Sequence, residues 1–122
     1  MEFIRATGSV VDQAVTSGLE ADALATTDAV VVEVLAGAGT EERAAQLRSL
    51  LGRTEFVPQE PMADAESAAR LFRSCRLHGR APRSQIDCLI AAVAIRRGVP
   101  VLHQGRDFGV IAEHSTLQLV RP

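Results

Sequence analysis

The sequence predicts an α/β layer fold in which helices flank a central parallel sheet. Segments with strand-like patterns alternate with segments of helical periodicity along the chain, and this alternation is typical of a parallel sheet covered by helices. At 122 residues the chain is long enough for one hydrophobic core and too short for two. We therefore expect a single domain that spans residues 1–122.

The opening segment suggests helices before the first strand. The stretch FIRATGS resembles the tail of a helix that ends at Gly8. Residues 9–19 suit a short amphipathic helix with Ser9 as its cap. Residues 21–27 alternate as a short strand does.

The next segment, TDAVVVEVLAG, is ambiguous because three consecutive valines favour a strand. Thr27 or Asp28 can cap a helix here, and Gly37 can end it. These boundary residues favour the helix.

The remaining elements have clearer boundaries. Thr40 is a plausible N-cap, and two glutamates follow it in the first turn of a helix. Gly79 and Gly98 end two later helices, and Pro58 ends a strand. The expected elements are a helix at 40–53, a strand at 54–58, helices at 62–79 and 84–98, a buried strand at 99–103, a short helix at 106–114 and a final strand at 117–120.

Composition excludes several function classes. The chain has no Lys, so it can form neither a P-loop nor a Schiff base, and its net charge of -2 excludes a generally basic nucleic-acid binder. No apolar run approaches the ~20 residues of a membrane span, and no secretion signal is present, so we expect a cytoplasmic protein without membrane contact. Cys75 and Cys88 suit buried free thiols.

Asp87 is an unusual carboxylate because it lies at the start of a very apolar helix. The spacing Ser84-x-x-Asp87 is that of a capping box, which explains the carboxylate locally. One and two turns further on, Ala91 and Ala94 form a stripe of small residues, which favours a junction between elements rather than a solvated face.

Glu33 has similar surroundings. Its helical neighbours Ala29, Ala36 and Gly37 are all small, so we expect it to lie away from solvent. A buried carboxylate requires a cation or several donors. An ion pair with an arginine and a metal ion explain Glu33 equally well.

Asp107 follows the apolar strand VPVLH after a short turn, and ligands of open α/β sheets lie beyond the carboxyl ends of the strands. Taken alone, it is explained as the cap of the helix that follows. Three such carboxylates together favour a hard cation, Mg²⁺ or alternatively Mn²⁺, over three separate caps. The chemistry implied is metal-assisted attack of water on a phosphodiester.

Two further patterns are less specific. Four arginines recur at near-helical spacing, and they suit either RNA phosphates and an acidic partner or simply a solvated helix face. They are Arg70, Arg73, Arg76 and Arg80. The four phenylalanines, at positions 3, 56, 72 and 108, are expected in the core.

The order of these motifs resembles the PIN-domain ribonucleases, in particular the VapC-type toxins of bacterial toxin–antitoxin pairs. TTDAVVVEVLAG matches the family's E-x-L-x-G helix, RSQIDCLIAAVAIRRG its R-S-x-x-D-C-x-I-A-A helix, and VLHQGRDFGVIA its last H-x-D-x-D-F turn. The resemblance extends over nearly the whole chain, and the R-S-x-x-D-C segment is its most specific part.

This resemblance implies a three-layer PIN-like fold and an Mg²⁺-dependent endoribonuclease that cleaves RNA, forms a homodimer and is neutralised by a cognate VapB-like antitoxin. Carried over by position, Glu33, Asp87 and Asp107 become the catalytic metal ligands, and Arg83 and Ser84 line the substrate site. The alternative is a catalytically inactive PIN remnant that binds only RNA or antitoxin.

The chain departs from the family pattern in two places. The family's first strand, which ends in D-T-S and supplies a principal Asp, is missing, and Gly105 replaces the first acid of the last turn. We therefore expect an N-terminally truncated domain, explained either by a start site further upstream or by degeneration. As written, the chain is expected to bind Mg²⁺ poorly and to cleave RNA weakly or not at all.

Overall fold

The computed structural model describes residues 2–4, 23–103 and 106–120. These ranges contain five strands: β1 (Glu2–Ile4), β2 (Leu24–Thr26), β3 (Glu55–Phe56), β4 (Val101–Leu102) and β5 (Leu119–Val120). They also contain five helices: α1 (Asp28–Ala36), α2 (Glu41–Leu51), α3 (Pro61–Leu77), α4 (Gln85–Arg97) and α5 (Asp107–Glu113). The α/β alternation expected from the sequence is confirmed.

The strands form one sheet in the order β3-β2-β1-β4-β5, and every neighbouring pair is parallel. β1 lies in the centre, where Phe3 pairs in register with Ala25 of β2 on one side and with Val101 of β4 on the other. β2 and β3 lie on one side of β1, and β4 and β5 lie on the other side. The order of the strands therefore reverses at β1 and β4.

The expectation that the chain opens with the tail of a helix and lacks a first strand is wrong for residues 2–4, which form the central strand. Without β1, the backbone groups of β2 and β4 that face it would have no partners in the sheet. Gly8 and the helix expected at 9–19 lie outside the described residues.

Local capping explains several helix boundaries. The Thr40 hydroxyl accepts a hydrogen bond of 3.0 Å from the amide of Arg43 at the start of α2. At the end of α4, Gly98 has φ = 65°, a conformation that favours glycine. The ambiguous valine-rich segment is helical, as its boundary residues favoured, with Thr27 and Gly37 in the two cap positions.

α4 lies at the centre of the core. Its residues from Ala91 to Ala94 are all buried, and the helix packs against α1, α3 and α5. Small side chains on this helix allow the neighbouring elements to approach closely. Cys75 and Cys88 are buried and free, as expected.

The phenylalanines do not all belong to the core. Phe108 is buried, but Phe56 is 51% exposed. Phe56 lies on β3, a two-residue strand at the edge of the sheet, so little of the molecule covers it. Phe72 is half-buried, and the side chain of Phe3 lies outside the description.

Among the helices that the structure describes, none combines the length and the apolar character that crossing a bilayer requires.

Candidate active site

The candidate site lies at the carboxyl edge of the parallel sheet. In such a sheet the strands all end at one edge, and the helices that connect them begin there. α4 and α5 therefore start on the same side, as does α1, which follows β2 directly. The reversal of strand order at β1 and β4 creates the crevice where ligands of α/β proteins bind.

Asp87 lies in the first turn of α4 and is fully buried, including both of its carboxylate oxygens. Ser84 occupies the N-cap position, but its side chain forms no capping hydrogen bond. The side-chain hydrogen bond that the expected capping box requires at Ser84 is therefore not formed. Ser84 is half-buried and precedes α4 at the same edge of the sheet.

Asp107 is the first residue of α5, and Arg106 occupies the N-cap position. The explanation of Asp107 as a helix cap is therefore wrong. The carboxylate is buried, and its Oδ2 lies 3.5 Å from Nε of Arg83, whose side chain is 71% exposed. This ion pair connects a buried carboxylate to a guanidinium at the surface.

The charges of Asp87 and Asp107 both act on the thiol of Cys88. Burial, followed by the charges of Cys75, Asp87 and Asp107 in that order of importance, raises the pKa of Cys88 to about 12. The two carboxylates therefore act on one point in the core, at the junction of α4 and α5. This thiol therefore stays protonated near neutral pH.

Glu33 lies in the second turn of α1, the helix that packs against α4 on another side. The residue is half-buried, and its Oε1 is inaccessible to solvent. Across the described ranges, no group of three His, Cys, Asp or Glu side chains stands close enough to enclose a metal ion. The assignment of Glu33, Asp87 and Asp107 as a joint ligand set stays a prediction.

The residues present nevertheless fit a divalent cation of the Mg²⁺ type. Mg²⁺ is commonly bound through only one or two carboxylates and completes its shell with water and substrate phosphates. Asp87 and Asp107 supply hard oxygen donors, and the neighbouring thiol is protonated. This donor set suits an oxygen-seeking ion rather than a thiolate-bound one.

The sequence patterns did not single out a pair of buried threonines near the site. Thr26 ends β2, Thr27 follows it in the N-cap position of α1, and both are buried. The Thr54 hydroxyl donates to the carbonyl of Leu51 (2.6 Å), so the 2.8 Å contact between Thr26 and Thr54 has Thr26 as its donor. Thr27 Oγ1 is buried and has no hydrogen-bond partner among the described residues. Two threonines after an apolar strand were the available signal.

Comparison with known proteins gives consistent results. Residues 4–114 match the family model described as PIN domain. The chain is 36% identical over 120 residues to VapC ribonuclease Mb1587 of Mycobacterium bovis, a match that covers 97% of this chain and 90% of that protein. Ribonuclease VapC11 of Mycobacterium tuberculosis shows the same identity and coverage.

Solved structures show the same likeness. The VapBC-5 toxin–antitoxin structure from Mycobacterium tuberculosis contains a chain that is 28% identical, with a TM-score of 0.71 and coverage of 99% of this chain and 98% of that one. DNA-bound VapBC from Salmonella typhimurium gives a TM-score of 0.74 over 99% of this chain and 98% of that one. At 15% identity, this second likeness concerns the fold alone.

Proposed function

Because the chain belongs to the PIN-domain family and, within it, to the VapC ribonucleases, we propose that it is a metal-dependent endoribonuclease toxin that a cognate antitoxin neutralises. The observation that carries this proposal is the pair of buried carboxylates, Asp87 and Asp107, at the reversal point of the sheet. Both lie inside the matched range of 4–114. The rival, a non-catalytic PIN module, has the same fold and is distinguished by activity alone.

Metal dependence belongs to this family of ribonucleases, and we assign Mg²⁺, with Mn²⁺ as the alternative. Asp87 and Asp107 would hold the ion, with Glu33 as the third carboxylate on the neighbouring helix. When bound, Mg²⁺ lowers the pKa of a coordinated water and neutralises charge on the scissile phosphate.

The protein's own residues orient these groups. Arg83 lies 3.5 Å from the Asp107 carboxylate and positions it. Because the Arg83 side chain is largely exposed, it can also bind a phosphate oxygen of RNA arriving from solvent. Ser84 stands beside it with a hydroxyl that the helix cap does not use, so this hydroxyl is available to the substrate.

The partner assignments rest on the relatives. The VapBC structures contain toxin together with antitoxin, and we infer a VapB-like antitoxin and a homodimer for this chain. We also infer a cytoplasmic site of action, where the RNA substrate is found, and a single domain over residues 1–122.

The test compares Asp87→Asn with the unaltered protein. We expect RNA cleavage in Mg²⁺ to fall roughly a hundredfold or more, because the substitution removes a ligand charge. Mg²⁺ affinity, measured by calorimetry, should fall as well. The readouts are the initial cleavage rate on a labelled RNA and the heat of Mg²⁺ binding.

Asp28→Asn is the matched control, because Asp28 is exposed and an asparagine retains the oxygen that accepts from the Gln59 amide. Its cleavage rate should stay within about twofold of the original. Equal rates for Asp87→Asn and Asp28→Asn would contradict the metal assignment. A rate at background for all three proteins would instead assign the non-catalytic role.

A further inference from the structure

A small charged cavity opens directly beside Asp107. Its volume is about 270 Å³, and its lining residues are Gly79, Arg80, Ala81, Arg106, Asp107 and Val110. Half of these side chains are charged, and none is aromatic. The cavity is formed where the end of α3 and the loop after it meet the start of α5.

Arginine is the dominant charge around this cavity. Arg80 and Arg106 line it, and Arg83 contacts Asp107 from the same loop region. The lining itself carries two guanidinium groups and one carboxylate, that of Asp107. Its charge balance is positive, although the chain as a whole carries a net charge of -2.

Arg80 can exchange its ion-pair partner Glu113 for another anion. Arg80 Nη1 lies 3.0 Å from Oε2 of Glu113, but the two side chains are 56% and 53% exposed. Such a surface ion pair contributes little to stability. An incoming phosphodiester group would therefore displace Glu113 at small cost. Planar guanidinium groups match the oxygens of a phosphate in paired hydrogen bonds.

We propose that Arg80 and Arg106 form a phosphate subsite that holds a backbone phosphate of RNA next to the one being cleaved. The inference rests on the proposed function, because Asp107 forms one wall of the cavity. An RNA phosphate is favoured over an acidic peptide because the cavity adjoins Asp107, the proposed metal ligand, which the RNA substrate must approach. Without an aromatic side chain in its lining, the subsite reads the backbone and not the bases.

The test measures binding of three 12-nucleotide RNAs, oligo(A), oligo(C) and oligo(U), in EDTA so that cleavage does not interfere. For the double variant Arg80→Gln with Arg106→Gln, we expect affinity to fall roughly tenfold for each RNA, because charge-assisted hydrogen bonds to the phosphate are lost. The dependence of log affinity on log salt should become shallower by about 0.7 for each phosphate contact removed.

Two further variants sharpen the result. Glu113→Gln should tighten RNA binding by roughly two- to threefold, because it removes the competing partner of Arg80. Arg48→Gln is the matched control, since Arg48 is an exposed arginine on α2 that does not line the cavity, and its affinity should change by less than about twofold. Circular dichroism checks that each variant is folded. If the double variant is unfolded, the RNA affinities of the single variants Arg80→Gln and Arg106→Gln test the subsite instead.

Unchanged RNA affinity in the double variant, or an equal loss in Arg48→Gln, would overturn the subsite. So would a loss of binding to a glutamate-rich 12-residue peptide with RNA binding retained, because the cavity would then serve an acidic partner. A loss confined to one of the three RNAs would equally exclude a backbone-only subsite.

Cleavage assays separate this inference from the proposed function. In an active protein the double variant should raise KM roughly tenfold and leave kcat largely intact, since binding and not chemistry is affected. If the unaltered chain binds RNA through these arginines but cleaves none, the subsite stands and the ribonuclease assignment fails. If it cleaves RNA and the double variant cleaves identically, the subsite alone fails.

Discussion

Cys88 lies in α4, where burial and the charges of two carboxylates determine the reactivity of its thiol. Burial, with smaller contributions from Cys75, Asp87 and Asp107, raises the pKa of the Cys88 thiol to about 12. Burial likewise raises the pKa of Cys75, with a contribution from Glu113. Both residues are therefore poor nucleophiles although they are free thiols.

We expect neither cysteine to react with a disulfide reagent at pH 8 in the folded protein. With a pKa near 12, only about one Cys88 in ten thousand is a thiolate at that pH. The measurement is a thiol titration before and after addition of guanidinium chloride, with none reacting before and two after. Rapid reaction of one thiol in the folded state would show that Cys88 is more accessible than the structure indicates.

The sequence indicated which carboxylates are buried, but not which residues contact them. Asp87 and Asp107 stood out in the sequence because each interrupts or follows an apolar segment, and the structure buries both. The ion pair of Asp107 with Arg83 was not predictable. It joins residues from different elements, and no local pattern encodes which of 13 arginines approaches a given carboxylate.

At the scale of elements, α4 supports both the core and the site. One end carries Asp87, and the middle is a run of five buried residues, three of them alanines. α1, α3 and α5 all pack against this helix. A larger side chain in its middle would move those neighbours apart.

Ala91→Leu is therefore expected to destabilise the protein by about 1–3 kcal/mol, because Ala91 is fully buried and the extra atoms have no space. Urea denaturation measures the change. Ala45→Leu on α2 is the control, since Ala45 is exposed, and its effect should stay within about 0.5 kcal/mol. Similar midpoints for the two variants would mean that α4 is loosely packed.

Elements with strong local signals were predictable, and the central strand was not. Thr40 caps α2 and Gly98 ends α4 because side-chain and backbone geometry at those positions is a local property. The segment Glu2–Ile4 has no such signal. It is three residues long, and it is a strand because β2 and β4 supply its hydrogen-bond partners.

At the scale of the whole molecule, an ion pair between the buried Asp64 and the partly exposed Arg96 joins distant parts of the chain. Asp64 in the first turn of α3 accepts two short hydrogen bonds from Arg96 near the end of α4, at 3.0 and 2.9 Å. Arg96 also donates to the carbonyl of Pro58. The partner of Arg96 is 32 residues away along the chain, so no local sequence pattern predicts this contact.

Burial acts to raise the pKa of Asp64, but the hydrogen bonds from Arg96 and the Glu60 amide, with the charge of Arg96, outweigh it and lower the pKa below 3.8. The ionised carboxylate therefore favours the folded state. Its contribution is present above the unfolded pKa, near 3.8, and is lost as the pH falls through the lower folded pKa.

Asp64→Asn should accordingly reduce the free energy of unfolding by about 2 kcal/mol at pH 7, because it leaves Arg96 without its charged partner. The difference from the unaltered protein should shrink as the pH falls below 4. Urea titrations between pH 7 and pH 2 measure it. Glu66→Gln, an exposed change on the same helix, should show little effect at pH 7, and a pH-independent loss in Asp64→Asn would contradict the ionic origin.

The central pairing of the sheet has a consequence for how the chain folds. Phe3 of β1 lies beside Val101 of β4, so two neighbours in space are 98 residues apart along the chain. Pairings over such distances form slowly, because a long loop must be closed before any hydrogen bond is gained. During synthesis, β1 has no partner on that side until β4 has left the ribosome. The nascent chain therefore cannot complete its sheet, nor assemble Asp87 and Asp107 around it, until β4 has been synthesised.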